Sequence, residues 1–124
     1  MLLSAQKDSD QIYGPYQRGC NDKGYEFNPP AERQNVVLTG LAMTSKNVIK
    51  TFQKHFSEVE DILVKYNGNG DDLTFNYIFR KYFNKNPKYI KGDFIELDTK
   101  GGYSFTRGHN DKRNSICKDL EIIG

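Results

Sequence analysis

The chain has 124 residues, of which 36% are hydrophobic and 27% are charged, and its formal net charge is +2 at pH 7. This length predicts one domain, and 8 Phe and 8 Tyr supply large side chains for its core. The absence of a long apolar run excludes a membrane-spanning helix within these residues, and Met1-Leu2-Leu3 is too short to be the apolar region of a signal peptide. The small excess of positive charge does not by itself indicate a nucleic acid or a membrane surface as partner.

The first part of the chain, up to Pro30, is rich in Gly, Asp, Tyr and Pro, which predicts turns. Only residues 11–13 resemble a short strand there. Residues 35–40 form an apolar, β-branched run that stops at Gly40, and they predict a buried strand.

Three helices are predicted in the middle of the chain. The first begins at Ser45 and carries its apolar residues on one face, namely Val48, Ile49, Phe52 and Phe56. The second begins at Ser57, with Glu60 three residues later in a capping-box pattern, and it ends in the turn-forming run 67–70. The third begins at Asp71 and is apolar on most sides, which predicts that it is buried.

The last part of the chain contains two more short predicted strands, at residues 88–90 and 94–97. Gly101-Gly102 then leads into a polar tail. Together these elements predict a single unit of mixed α/β class.

Two cysteines, Cys20 and Cys117, lie near opposite ends of the chain and do not have the spacing of a metal site. They form one disulfide if the two ends meet in the fold, and they are two free thiols otherwise. The sequence leaves both possibilities open.

The adjacent acids Asp71 and Asp72 are the most informative residues. Acidic side chains are favoured at a helix N-terminus, so one of them is interpreted as an N-cap. A cap needs only one side chain, which leaves Asp72 able to face a cleft as a base or as a stabiliser of positive charge.

A basic cluster in residues 104–115 is the second candidate site, and it contains Arg107, His109, Lys112 and Arg113. Such groups suit a phosphate, although most clusters of this kind are solvated loops. The other histidine, His55, is interpreted as a packing residue of the first helix. Asp8-Ser9-Asp10 has a metal-binding pattern but follows no apolar strand, so it is rejected as a metal site.

Four segments, in order, resemble the exostosin-type glycosyltransferases, a family with the GT-A fold. They are Asp10-Gln11-Ile12-Tyr13-Gly14-Pro15-Tyr16-Gln17-Arg18, Val37-Leu38-Thr39-Gly40-Leu41-Ala42, Gly70-Asp71-Asp72-Leu73-Thr74-Phe75-Asn76-Tyr77-Ile78, and the stretch from His109 to Cys117. The third is similar to the family's acidic motif, C-[ED]-D-I-A-M-N-F-L. The last is similar to its closing segment, H-x-x-R-x-x-C.

The resemblance implies roles for five residues. Asp72 matches the family's active-site carboxylate near the anomeric carbon, and Arg113 matches the arginine that contacts the donor diphosphate. Asp71, Asn76 and His109 are implied to bind substrate. The implied reaction is the retaining transfer of a sugar from a UDP-sugar donor to a glycan acceptor with the help of Mn²⁺, in the lumen or membrane of the Golgi or endoplasmic reticulum.

The sequence also departs from the family pattern. Gly70 stands where the family has a cysteine, so the usual disulfide to the closing segment is not expected, and Cys117 lies one residue out of register. The nucleotide-binding strands, the Asp-x-Asp that binds Mn²⁺ and any membrane anchor are expected upstream of this chain. The chain is therefore expected to form the acceptor-side half of a GT-A-like mixed sheet with packed helices.

A second functional class is kept as an alternative. A small nucleic-acid-binding or nuclease-like domain would use Arg107, His109, Lys112 and Arg113 against phosphates and the aromatic residues for stacking. A non-catalytic protein-interaction domain is a third interpretation.

Overall fold

The computed structural model describes residues 10–90 and 109–123, apart from the side chains of Leu41, His109 and Asn110. Its strands are Ile12–Gly14 (β1), Gln17–Asn21 (β2), Gly24–Glu26 (β3), Val36–Val37 (β4), Met43–Thr44 (β5) and Lys88–Tyr89 (β6). Its α-helices are Lys46–His55 (α1), Glu60–Lys65 (α2), Asp71–Phe83 (α3) and His109–Ile123 (α4). Short 3₁₀ turns lie at Ala31–Arg33, Thr39–Leu41 and Phe56–Glu58. The predicted α/β class is confirmed.

The strands of the described residues form two small sheets. In the first, β1 lies between β5 and β6, antiparallel to β5 and parallel to β6. In the second, β2 lies between β3 and β4 and is antiparallel to both. In the second sheet Arg18 is paired with Val36, and Cys20 with Tyr25.

The β2–β3 hairpin is absent from the sequence prediction. Its strands are largely polar and show no clear alternation, so they lack the usual signal of a strand. Backbone pairing joins its two strands. The turn between them is stabilised by the Asn21 side chain, which accepts a hydrogen bond from the Lys23 amide at 2.9 Å. Gly24 follows the turn with φ +123°, which favours glycine.

The predicted strand at residues 35–40 is shorter than expected, because only Val36–Val37 pairs as a strand. The Asn35 side chain bonds the backbone N–H and C=O of Cys20, each at 2.8 Å, and so takes the place of strand pairing there. After Leu38 the chain turns into the 3₁₀ segment, which places Thr39 at the surface.

The helix predicted from Ser45 is confirmed, and Ser45 Oγ accepts a hydrogen bond from the Val48 amide as its N-cap. Its apolar face is only partly covered, since Val48 is buried while Ile49 and Phe56 are exposed. The interpretation of His55 as a packing residue is also confirmed, because its ring stacks on Tyr82 with centroids 3.7 Å apart.

The capping box predicted at Ser57 is wrong. A 3₁₀ turn covers Phe56–Glu58, and α2 starts later, at Glu60, with Val59 at its N-cap and no side-chain cap. The fully buried Val59 anchors this start in the core, so tertiary packing overrides the local cap signal.

The polar tail predicted after Gly102 is also wrong for its described part, because residues 109–123 form α4. Arg113, Ile116, Cys117 and Leu120 recur at helical spacing and are all buried. The predicted strand at residues 94–97 lies outside the described residues. Of the strand predicted at residues 88–90, Lys88–Tyr89 form β6.

Helix α3 is central to the core, as its apolar composition predicts. Leu73, Tyr77 and Ile78 pack in one buried cluster with residues of α4, and Phe79 packs in a second cluster with Ile12 and Val48. The N-terminus of α3 therefore lies where the helix meets both α4 and the segment after β4.

Candidate active site

The start of α3 is set by backbone geometry rather than by a side-chain cap. Asn67, Gly68 and Gly70 all have positive φ, and Gly70 occupies the N-cap position without a side-chain hydrogen bond. The interpretation of one acid as an N-cap is therefore wrong: Asp71 and Asp72 are the first two helical residues.

Asp72 is held by two hydrogen-bond donors from distant parts of the chain. Thr39 Oγ1 donates to one carboxylate oxygen at 2.6 Å, and Arg113 Nη2 donates to the other at 3.2 Å. The Asp72 and Arg113 side chains are 14% and 8% exposed, so their ion pair is largely shielded from water. Two residues predicted to be catalytic, 41 positions apart, are thus in direct contact.

Asp71 lies beside this pair at the surface. Its carboxylate accepts a hydrogen bond from the Asp72 amide at 2.9 Å. Partial desolvation raises the pKa of the Asp71 carboxyl above its ordinary value even though the residue keeps an exposed edge, and the negative charge of Asp72 raises this pKa further. The positive charge of Arg113 acts in the opposite direction.

Asn76 lies one helical turn after Asp72 and is completely buried. Its amide group donates to the carbonyl oxygens of Val37 and Asp72, at 2.9 Å and 2.8 Å, and accepts from the Val37 amide at 3.0 Å. These bonds tie α3 to β4, and thereby fix the distance between Asp72 and the Thr39 turn that follows β4.

The two cysteines form a disulfide, which decides between the alternatives left open by the sequence. It links β2 to the middle of α4, so Cys117 pairs with Cys20 and not with residue 70. Counted from Arg113, the family pattern places its closing cysteine at Ile116. An added Cβ at Gly70 would lie 2.7 Å from Ile116 Cδ1, so these two positions are in contact in this chain.

The other predicted site residues are less fully placed. His109 begins α4, but its side chain is not among those that the structure describes. Arg107 is not among the described residues. Asp10 accepts a hydrogen bond from Ser45 Oγ at 3.1 Å, beside the start of α1.

Sequence reasoning did not single out Thr39, Tyr25 or Asn114. Thr39 lies within one of the segments that carry the family resemblance, but its bond to Asp72 spans 33 positions and leaves no local signal. Tyr25 and Asn114 contact each other across 89 positions.

The described residues do not fit the Mn²⁺ ion that the resemblance implies. Among residues 10–90 and 109–123, no three His, Cys, Asp or Glu side chains come together in a way that could hold a metal ion. Within the same residues, none of the helices is long and apolar enough to cross a membrane.

No curated protein matches the chain. The family model described as the glycosyl transferase family 64 domain matches residues 5–123, and this range contains Thr39, the Asp71-Asp72 pair and Arg113. Because the match covers nearly the whole chain, the protein belongs to glycosyl transferase family 64.

Proposed function

We propose that the protein takes part in exostosin-type sugar transfer, in which a sugar moves from a UDP-sugar to a glycan acceptor with retention of configuration. The chain would supply the acceptor-side half of a GT-A-like catalytic domain. The observation that carries this proposal is the ion pair of Asp72 and Arg113, at 3.2 Å, at the start of α3.

Asp72 is suited to stabilise positive charge at the anomeric carbon. Sugar transfer passes through a transition state in which the sugar ring resembles an oxocarbenium ion. A carboxylate oriented by two donors needs little reorganisation to interact with that charge, and Thr39 and Arg113 provide this orientation.

Arg113 is suited to stabilise the negative charge of the departing diphosphate. A guanidinium group stays positively charged and presents several N–H donors in one plane, which matches phosphate oxygens. Because the Arg113 side chain is only 8% exposed, its charge acts with little screening by water.

Asp71 and His109 are proposed to bind substrate hydroxyl groups, since Asp71 is exposed beside Asp72. We place Asn76 differently from the resemblance. Its complete burial and its bonds to backbone atoms favour a role in holding α3 against β4 rather than contact with a substrate.

The help of Mn²⁺ in sugar transfer, and a location in the lumen or membrane of the Golgi or endoplasmic reticulum, remain part of this proposal. Any Mn²⁺ ligands are to be sought outside the described residues, and no step above depends on the ion. A disulfide is typical of proteins that mature in an oxidising compartment, which supports the lumen of the Golgi or endoplasmic reticulum.

Binding of UDP tests the proposal. Although the uridine-binding strands are expected upstream, the proposed contact of Arg113 with the diphosphate lies within this chain. We therefore expect UDP at high concentration to raise the melting temperature of the wild-type protein, because a ligand that binds only the folded state stabilises it. Arg113→Met should abolish this rise, whereas Lys118→Met, which removes an exposed charge from the same helix, should keep it. An equal response of both variants, or no response of the wild type, would contradict the proposal.

The nucleic-acid alternative has less support. Arg113, one of its four basic residues, is buried and paired with Asp72 instead of projecting from a solvated loop. If RNA raised the melting temperature with a steep dependence on salt while UDP did not, the alternative would be favoured.

A further inference from the structure

The β2–β3 hairpin lies against the face of α4 that carries Arg113. Three of the contacts between the two elements involve Arg113 itself or a residue within about one helical turn of it. Two of these contacts come from Tyr25, and the third is the disulfide.

The first contact fixes the register of the helix against the hairpin. Asn114 Oδ1 accepts a hydrogen bond from the Tyr25 amide at 2.8 Å. The approach is close enough that an added Cβ at Gly24 would lie 2.9 Å from the same oxygen. The absence of a side chain at Gly24 therefore allows Asn114 to reach the hairpin backbone.

The second contact is made by the Tyr25 ring. The guanidinium carbon of Arg113 lies 5.2 Å from the centroid of this ring, within the range of a cation–π interaction. The guanidinium of Arg113 thus contacts the Tyr25 ring and also donates a hydrogen bond to Asp72.

The third contact is the disulfide between Cys20 and Cys117, one helical turn after Arg113. Cys20 is the cross-strand partner of Tyr25, so the covalent link and the other two contacts act on the same part of the hairpin.

We infer that Tyr25 and Asn114 are positioning residues, which hold the Arg113 guanidinium against Asp72. Asn114 sets the position of the helix, and Tyr25 sets the orientation of the side chain. The consequence for ligand binding rests on the proposed function, since it requires Arg113 to bind a diphosphate.

The orientation of Arg113 can be measured without any ligand. Hydrogen exchange at Nε–H of Arg113, assigned by its loss in Arg113→Lys, reports how firmly the guanidinium is held. We expect exchange to become roughly tenfold faster in Tyr25→Leu and in Asn114→Ala. Tyr25→Phe, which keeps the ring and the backbone amide, should exchange like the wild type.

Asp119→Asn is the matched control. Asp119 lies on the same helix, but its carboxylate accepts hydrogen bonds from Lys65, the last residue of α2, and from Tyr66, the residue that follows. Its substitution should lower the melting temperature without changing exchange at Arg113. If Tyr25→Leu and Asn114→Ala exchange like the wild type, or if Asp119→Asn accelerates exchange equally, the positioning role is overturned.

Pyrophosphate, titrated calorimetrically against the full chain, tests the consequence for binding. We expect roughly fivefold weaker binding in Tyr25→Leu and Asn114→Ala, with wild-type affinity in Tyr25→Phe and Asp119→Asn. Unchanged affinity in the first two variants would contradict positioning for binding. Failure of the wild type to bind pyrophosphate would contradict the proposed diphosphate site, while the exchange measurement still decides whether Tyr25 and Asn114 hold Arg113.

Discussion

Asp72 combines two properties at the scale of a single residue. It accepts hydrogen bonds on both carboxylate oxygens, and it keeps part of its surface open beside the exposed Asp71. A buried structural acid would have the first property alone, and a solvated surface acid would have the second alone. Their combination is what a carboxylate near a substrate requires.

Asp72→Asn should separate the two properties. The new amide keeps an oxygen for Thr39, but its NH₂ group would face the donating Arg113. We expect the free energy of unfolding to fall by about 2 kcal/mol, because the substitution removes the negative charge of Asp72 from beside a shielded guanidinium. Sugar transfer from a UDP-sugar, measured with the chain joined to a nucleotide-binding half, should be lost.

Thr39→Val is the control for this change. It removes one hydrogen bond to Asp72 but keeps the ion pair, so the expected loss is about 1 kcal/mol in urea unfolding. Equal stabilities of the Asp72→Asn variant and the wild type would show that the ion pair does not stabilise the fold.

Asp71 makes folding sensitive to pH. Its pKa is raised in the folded state, so the folded protein binds this proton more tightly than the unfolded chain does. Ionisation of Asp71 therefore lowers stability as pH rises from the ordinary value of 3.8 through the raised value. We expect Asp71→Asn to raise the melting temperature at pH 7 and to lose this advantage below the ordinary pKa.

The measurement is the melting temperature of the wild type and of Asp71→Asn across this pH range. Asp61→Asn, at an exposed position of α2, is the control. An advantage of Asp71→Asn that persists unchanged in acid would argue against ionisation of this carboxyl as its cause.

At the scale of elements, α3 depends on how it begins. Gly70 has φ +127°, and a Cβ there would lie 2.7 Å from Ile116 Cδ1. Gly70→Ala should therefore cost both backbone strain and steric overlap, together about 3 kcal/mol of the free energy of unfolding.

The two contributions can be separated with Ile116→Val, which removes the Cδ1 atom. In that background Gly70→Ala should cost less, about 1–2 kcal/mol, because only the backbone strain remains. Chemical unfolding of the four proteins gives the coupling energy. If the cost of Gly70→Ala were the same in both backgrounds, the overlap with Ile116 would be excluded as a cause.

The link between α3 and β4 depends on Asn76. Asn76→Ala would leave the buried N–H and C=O groups of Val37 without their partner, and we expect a loss of about 2–3 kcal/mol. Amide exchange at Val37 should accelerate more than at positions in α1. The exposed Gln53→Ala serves as the control, and unchanged exchange at Val37 in the Asn76 variant would contradict the link.

At the scale of the whole molecule, one covalent bond joins the first part of the chain to the last. The disulfide closes a loop between residues 97 positions apart, and both of its cysteines are buried. Its contribution to the free energy of unfolding is expected to be about 3 kcal/mol, chiefly because it restricts the unfolded chain.

Replacing both cysteines tests this contribution. The double variant Cys20→Ser and Cys117→Ser should unfold at lower urea concentration than the oxidised wild type, and a reductant should shift the wild type in the same direction. The double variant itself should not respond to the reductant. Identical midpoints with and without reductant for the wild type would exclude a stabilising role for the disulfide.

Local patterns were sufficient for several elements. Ser45 and the apolar residues that follow it predict α1, and the composition after Asp71 predicts that α3 is buried, because helical periodicity and capping act over a few residues. The β2–β3 hairpin could not be predicted in this way, since its largely polar strands depend on backbone pairing and on contacts with α4.

The sequence by itself determined the acidic pair, the basic residue Arg113 and the order of motifs that indicates a glycosyltransferase. Only the tertiary structure decided which groups meet: Thr39 and Arg113 at Asp72, Cys20 with Cys117, and Tyr25 with Asn114. These contacts join residues between 33 and 97 positions apart. The packing of α3 and α4 on the two sheets brings these residues together, and no local periodicity of the sequence indicates that packing.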